Sequence, residues 1–275
     1  MPSQYWNEKL AEQLRQFRYE FPEKTLAGKT VIVAGGTGGL GSALVALLVR
    51  EGAKLVVGYR WNRERADALR GAIQEQFGAA IELVAGDIAD PKVIESYAAA
   101  VEKIGQPLVG AAIFPGDPAR VALDALTRET MAASLESNYV GPVLLAKRLG
   151  EMMESAADGG NIVMLATMQA IAPFASSVNY AAPKAALVHA AKILAQQWKK
   201  VMVNVVAPGA TVAGMAESSV RSGKYDRHIT SGAISRFGRP EDVARAVRFF
   251  LEPGQYTNGQ VLVVDGGLTI RRDRV

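Results

Sequence analysis

Thr30-Val-Ile-Val-Ala-Gly-Gly-Thr-Gly-Gly-Leu-Gly41 is the stretch on which the fold of this chain turns. Its first five residues are apolar or β-branched and predict a strand; glycines follow at once, and a helical pattern follows them. Such a turn lets the backbone approach a pyrophosphate closely. The helix N-terminus behind it offers free N–H groups and the positive end of a dipole. Two registers fit a dinucleotide-binding loop: Gly36-x-Gly38-x-x-Gly41 and Gly35-x-x-x-Gly39-x-Gly41. A phosphate-binding P-loop is excluded, because position 23 is Glu23 and Gly28-Lys29-Thr30 precedes the strand.

Outward from this loop the pattern repeats. Strand-like runs occupy 30–34, 54–58, 81–84, 107–113, 161–165, 201–206 and 260–264. Helical stretches fall between them, at 38–51, 62–77, 90–104, 128–156, 178–199 and 240–251. Strands that are apolar on both faces, alternating with helices, predict a parallel sheet covered on both sides. We therefore expect a single doubly wound α/β domain of the Rossmann type over 26–275, with a seven-stranded parallel sheet flanked by helices. Residues 210–239 are irregular, rich in Gly and Ser, and predict a lid. A short helical extension precedes the domain over 1–25. There Trp6, Leu10, Leu14 and Phe17 recur at helical spacing, and the expected place for that stripe is against its own domain or an oligomer partner.

Composition narrows the function classes. The chain has 275 residues and no cysteine, which removes disulfide scaffolds, thiolate-bound metals and thiol nucleophiles, and fits a reducing compartment such as the cytoplasm. Metal-ligand spacing is absent. A charge of +4 is too small and too scattered for a nucleic-acid face, although Arg60, Arg63 and Arg65 cluster, as do Arg271, Arg272 and Arg274. No apolar run is long enough to cross a membrane, and the N-terminus has no targeting pattern. Hydrolase chemistry lacks a Gly-x-Ser-x-Gly elbow, and the only histidines are His189 and His228. His189 reads as a packing or contact residue, and His228 as part of a solvated loop, the alternative being that the basic lid around it, with Arg221, Lys224 and Arg227, favours an anionic or carrier-bound substrate.

Past the second strand the sequence reads Gly58-Tyr-Arg-Trp-Asn-Arg63. An acid there would accept from a ribose 2′-hydroxyl; two guanidiniums instead suit a 2′-phosphate. The expected cofactor is NADP(H) rather than NAD(H), with Arg60 and Arg63 as contacts.

Tyr180-Ala-Ala-Pro-Lys184 places a phenol and an ammonium at i and i+4 on one helix face, and Thr167 ends the fifth strand. A nearby ammonium lowers a phenol's pKa and prepares it for proton transfer. With Gly86-Asp87-Ile88, Asn138, Asn204-Val-Val-Ala-Pro-Gly209, Arg236-Phe-Gly-Arg-Pro-Glu-Asp-Val243 and Val264-Asp-Gly-Gly267, these motifs resemble the short-chain dehydrogenase/reductase family over 26–268. The nearest branch in pattern is that of 3-oxoacyl-carrier-protein reductases.

That resemblance implies a hydride-transferring oxidoreductase acting on a carbonyl or secondary alcohol. Tyr180 would be the general acid/base, Lys184 would lower its pKa and hold the nicotinamide ribose, and Thr167 would polarise the carbonyl. Asn138 would support a water beside Lys184. Cofactor contacts would come from Gly35, Thr37, Gly38, Gly39, Leu40, Gly41, Asp87, Ile88, Ala111, Pro208, Gly209 and Thr211. The helices at 128–156 and 178–199, with the last strand, would build a homodimer or homotetramer. Departures from the family pattern are Ala34, Gly38, Gly110-Ala-Ala-Ile113 and Ala213, and Pro183 fits a helix only near its first turn. The departures at Ala34 and 110–113 support a second reading, a cofactor-binding regulator or scaffold without turnover.

Overall fold

A computed structural model describes residues 3–175 and 177–271; Arg272 and Arg274 of the basic C-terminal cluster lie outside the described residues. Along the chain run α1 (Glu8–Arg15), β1 (Thr30–Ala34), α2 (Gly39–Arg50), β2 (Lys54–Tyr59), α3 (Arg63–Phe77), β3 (Ile81–Ala85), α4 (Pro91–Ile104) and β4 (Leu108–Ile113). Then follow α5 (Arg128–Leu135), α6 (Gly141–Ser155), β5 (Gly160–Leu165), α7 (Val178–Gln197) and β6 (Val201–Pro208). The chain continues through α8 (Glu217–Arg221), α9 (Arg227–Thr230), α10 (Pro240–Phe250), β7 (Val261–Val264) and α11 (Leu268–Arg271). All seven strands pair in parallel, in the order β3-β2-β1-β4-β5-β6-β7. The order reverses between β1 and β4, and the crevice at the carboxyl ends of those strands is where such a sheet binds ligands.

Side-chain alternation explains why the strands read as continuously apolar. Ile32, Val56 and Ile162 point to one core, shared with α4, α6 and α7. Val31, Val33, Val57 and Val163 point to the other, shared with α2 and α10. Both faces are therefore dry. Gly58 is required by this packing: a Cβ there would fall 1.7 Å from the Tyr97 hydroxyl, which is buried beneath β2.

Two helical expectations change. The stretch 128–156 is not one helix: a π-turn at Glu136–Val140 separates α5 from α6. Pro142 has no N–H for the α-helical bond to the Asn138 carbonyl, and the Gly141 N–H bonds Glu136 O instead. The helix α1 forms, capped by the Asn7 side chain, but it buries none of its residues, and Leu10 and Leu14 stay exposed. It does not dock on its own domain. Leu26 is the first buried residue among those described, and Thr25 beside it bonds both Glu252 and Arg248.

Candidate active site

One cavity of about 720 Å³ opens at the carboxyl ends of β1, β4, β5 and β6. Its floor at one end is the glycine loop. Gly35 sits at φ +73°, which favours glycine, and a Cβ on Gly41 would lie 2.5 Å from Gly35 O. The loop and α2 thus touch backbone to backbone. Gly38 caps α2 with no side-chain hydrogen bond, so the N-terminal amides stay open to an anion. Gly35, Thr37, Gly38, Gly39, Leu40 and Gly41 all line the cavity, and the bare amide cradle fits a dinucleotide pyrophosphate.

The basic residues after β2 divide. Arg60 lines the cavity and pairs with Asp87, 2.5 Å between Nη2 and Oδ2. Asp87 also accepts from the Ala89 amide, and Ile88 lies beside it on the wall. Arg63 does not reach the cavity. It is the first residue of α3, its side chain is 72% exposed, and it pairs with Asp67 one turn on. Arg65 bonds the loop instead, its Nε 2.6 Å from Thr37 O. Helical geometry explains the exchange, since residues two apart on α3 face different directions.

Ala111 is a second correction. The segment 110–113 lies inside β4, fully buried, away from the cavity. The wall begins at Phe114, Pro115 and Gly116, where the strand ends. The departures from the family pattern at 110–113 therefore fall in the sheet rather than at the ligand.

Thr167, Tyr180 and Lys184 converge on the cavity, with Pro208, Gly209 and Thr211 opposite. The Thr167 side chain hydrogen-bonds the Tyr180 hydroxyl. Burial pushes the Tyr180 phenol up to about 12, the Thr167 bond opposes this, and Tyr225 adds to the rise. Lys184 is 2% exposed and donates to Leu165 O at 2.9 Å and to Pro115 O at 3.3 Å. Burial pulls its pKa down to about 7. The hydrogen bonds of the Lys184 Nζ go to these two main-chain carbonyls.

The π-turn places Asn138 beside this lysine. A Cβ at Gly116 would lie 2.7 Å from Asn138 Oδ1 and 3.1 Å from Lys184 Nζ. The Asn138 amide clamps the loop after β4: Oδ1 accepts from the Asp117 N–H, and Nδ2 donates to Asp117 O.

Sequence reasoning missed two features of this site. Pro183 lies in the second turn of α7, beyond the position where it was expected to be tolerable. Its absent N–H would have bonded Asn179 O, and the buried Ser134 Oγ donates to that carbonyl instead. His228 is not in a solvated loop; it is 6% exposed and lines the cavity. Burial and the neighbouring Arg227 charge lower its pKa. His189, in contrast, is exposed on α7. Among the described residues no cluster of His, Asp or Glu could hold a metal, and no helix is long and apolar enough to cross a membrane.

The family model described as enoyl-(acyl carrier protein) reductase matches residues 34–269. The chain is a short-chain dehydrogenase/reductase. It is 30% identical over 244 residues to a 3-oxoacyl-[acyl-carrier-protein] reductase of Aggregatibacter actinomycetemcomitans, covering 87% of this chain and 99% of that one. It is 27% identical over 262 residues to NADPH-dependent aldehyde reductase 2, chloroplastic, of Arabidopsis thaliana, covering 90% and 96%. Levodione reductase superposes with a TM-score of 0.80 at 25% identity, covering 89% of this chain and 99% of that one. As a short-chain dehydrogenase/reductase the chain is an oxidoreductase with a nucleotide-binding sheet.

A stability consequence follows from the buried lysine. Its folded pKa, about 7, lies below the usual 10.5, so the unfolded chain binds more protons between those values. Stability contributed here therefore rises with pH across that interval and is lost as pH falls through about 7. Lys184→Met is expected to flatten this part of the pH dependence, read from urea midpoints at several pH values.

Proposed function

We propose that this protein is an NADP(H)-dependent oxidoreductase interconverting a carbonyl and a secondary alcohol. The observation that carries the reading is the convergence of Thr167, Tyr180 and Lys184 with the glycine loop and Arg60 on one cavity. The nicotinamide would supply a hydride to the carbonyl carbon, or accept one from the alcohol. Tyr180 donates its hydroxyl proton to the carbonyl oxygen in reduction and takes it back in oxidation. Thr167, already bonded to that hydroxyl, polarises the same oxygen. Lys184, held by Leu165 O and Pro115 O, holds the ribose, and Asn138 keeps the loop beneath it in place.

NADP(H) over NAD(H) rests on Arg60 at the cavity wall, with Arg65 tied to Thr37 close by. The Arabidopsis relative is named for NADPH. Fluorescence titration with NADPH and NADH tests this. Arg60→Ala is expected to weaken NADPH by about tenfold or more, as loss of a charge-assisted hydrogen bond worth about 1.5–3 kcal/mol, with little effect on NADH. Equal loss for both cofactors would remove the 2′-phosphate assignment. Binding of neither would favour the scaffold reading.

Self-association belongs to the same reading. Met131 and Leu135 on α5, Leu144 on α6, and Val178 and Ile193 on α7 are exposed apolar residues, and Leu262 is exposed on the edge strand β7. A homodimer or homotetramer would cover them.

A further inference from the structure

The half of the cavity under the lid has an uneven charge. Among the described residues Asp87 is the only carboxylate on the wall, and it belongs to the dinucleotide end, paired with Arg60. Around Tyr180 the charged residues of the wall besides Lys184 are Arg120, Lys224 and Arg227. Each is a cation, and among the described residues none of the three forms an ion pair. Arg120 donates only to neutral acceptors, Ser218 Oγ and Met215 O, and so straps the loop after β4 to the lid. The acidic neighbours do not fill the gap: Asp226 and Asp117 are exposed and off the cavity wall, and Glu217 pairs with Arg221.

A second observation points the same way. His228 is buried and lines the cavity, yet its Nδ1 has no hydrogen-bond partner among the described residues. A buried polar atom left unmatched costs about 1–3 kcal/mol, so an imidazole held this way suits a missing polar partner. Its ring stacks on Tyr225, 6.0 Å between centroids, and Lys224 Nζ sits 5.9 Å from the Tyr225 centroid. Tyr225 is also near enough to Tyr180 to act on its phenol. Tyr180, Tyr225, Lys224 and His228 thus line the same cavity.

We propose that the carbonyl substrate carries an anionic group, a carboxylate or a phosphate, bound by Lys224, Arg227 and His228 with Arg120 at the rim. The inference rests on the oxidoreductase reading for its carbonyl, and on the cavity wall alone for its anion. Neutral ketones would leave the cations and the His228 nitrogen without a partner. A site built for a charged group rejects the uncharged analogue far more strongly than an apolar pocket rejects a missing methylene.

Calorimetric titration of the protein, with and without NADPH, against acetoacetate, levulinate and their methyl esters tests it. Dihydroxyacetone phosphate against dihydroxyacetone distinguishes phosphate from carboxylate. At least one anion is expected to bind about tenfold or more tighter than its neutral analogue, with the preference shrinking as salt rises. The double substitution Lys224→Gln, Arg227→Gln should collapse that ratio by about tenfold; both residues are exposed and unpaired, so the fold should survive. Neutral analogues binding as tightly as the anions, or a ratio unchanged in the variant, would overturn the proposal. Anion preference persisting while NADPH fails to bind would instead reject the oxidoreductase reading and leave the anion site standing.

Discussion

Tyr180→Phe is expected to cut turnover about 10²–10⁴-fold, the range that a positioned general acid/base contributes, while NADPH affinity stays within about twofold. The variant removes one oxygen. The ring still fills its place on the cavity wall, and the Lys184 bonds to Leu165 O and Pro115 O are untouched. Thr167 loses its partner but keeps the Gln169 amide, which donates to its Oγ at 3.3 Å. The raised phenol pKa, about 12 in this structure, sets the sign of the pH profile. Reduction uses the protonated phenol, so its rate should be flat from about pH 6 to 9; oxidation uses the phenolate, so its rate should rise with pH over the same range. Difference absorbance of tyrosinate, wild type minus Tyr180→Phe, reads the group directly. Unchanged turnover in Tyr180→Phe would refute the acid/base assignment; a Tyr180 that titrates below an ordinary tyrosine in the unliganded protein would overturn only the raised pKa and the pH profile drawn from it.

The contrast between Tyr180 and its surroundings shows what the sequence could carry. Strand runs, glycine spacing and the i,i+4 phenol–ammonium pair are local patterns, and each was legible because local geometry alone gives it meaning. The start of the cavity wall was not. The strand run was read to Ile113 and ends there, but Ala111 and Phe114 are both apolar, and only the folded sheet shows that Ala111 is buried inside β4 while Phe114 lines the cavity. Arg63 and Arg65 are equally basic. Their fates differ because α3 begins at Arg63, which turns one toward Asp67 and the other toward Thr37. His228 looked solvated among charged neighbours, and it is buried through packing that brings the lid over a distant cavity. For Arg65 and His228 the missing information was a contact between segments far apart in the chain.

The Ser134–Pro183 pair is the sharpest instance, and it predicts a measurable coupling. Pro183 interrupts α7 three residues after Tyr180, so the Asn179 carbonyl has no helical donor, and the proline ring crowds it as well. Ser134 Oγ, from α5, supplies the hydrogen bond. The same hydroxyl accepts from Asn138 Nδ2 at 3.2 Å, which links the interrupted helix to the clamp beside Lys184. Ser134→Ala strands a buried carbonyl and is expected to cost about 1–3 kcal/mol of stability. Turnover should fall further than stability explains, since the stranded carbonyl is adjacent to Tyr180. Pro183→Ala restores the N–H, so in that background Ser134→Ala should cost much less. The four proteins form a double-mutant cycle in urea midpoints, and residues in direct contact give coupling of about 0.5–3 kcal/mol. Additive effects would show that the hydroxyl does not stand in for the missing amide. A coupling of the expected sign, accompanied by recovery of turnover in the double variant, would mean that a serine one helix away sets the position of the catalytic phenol.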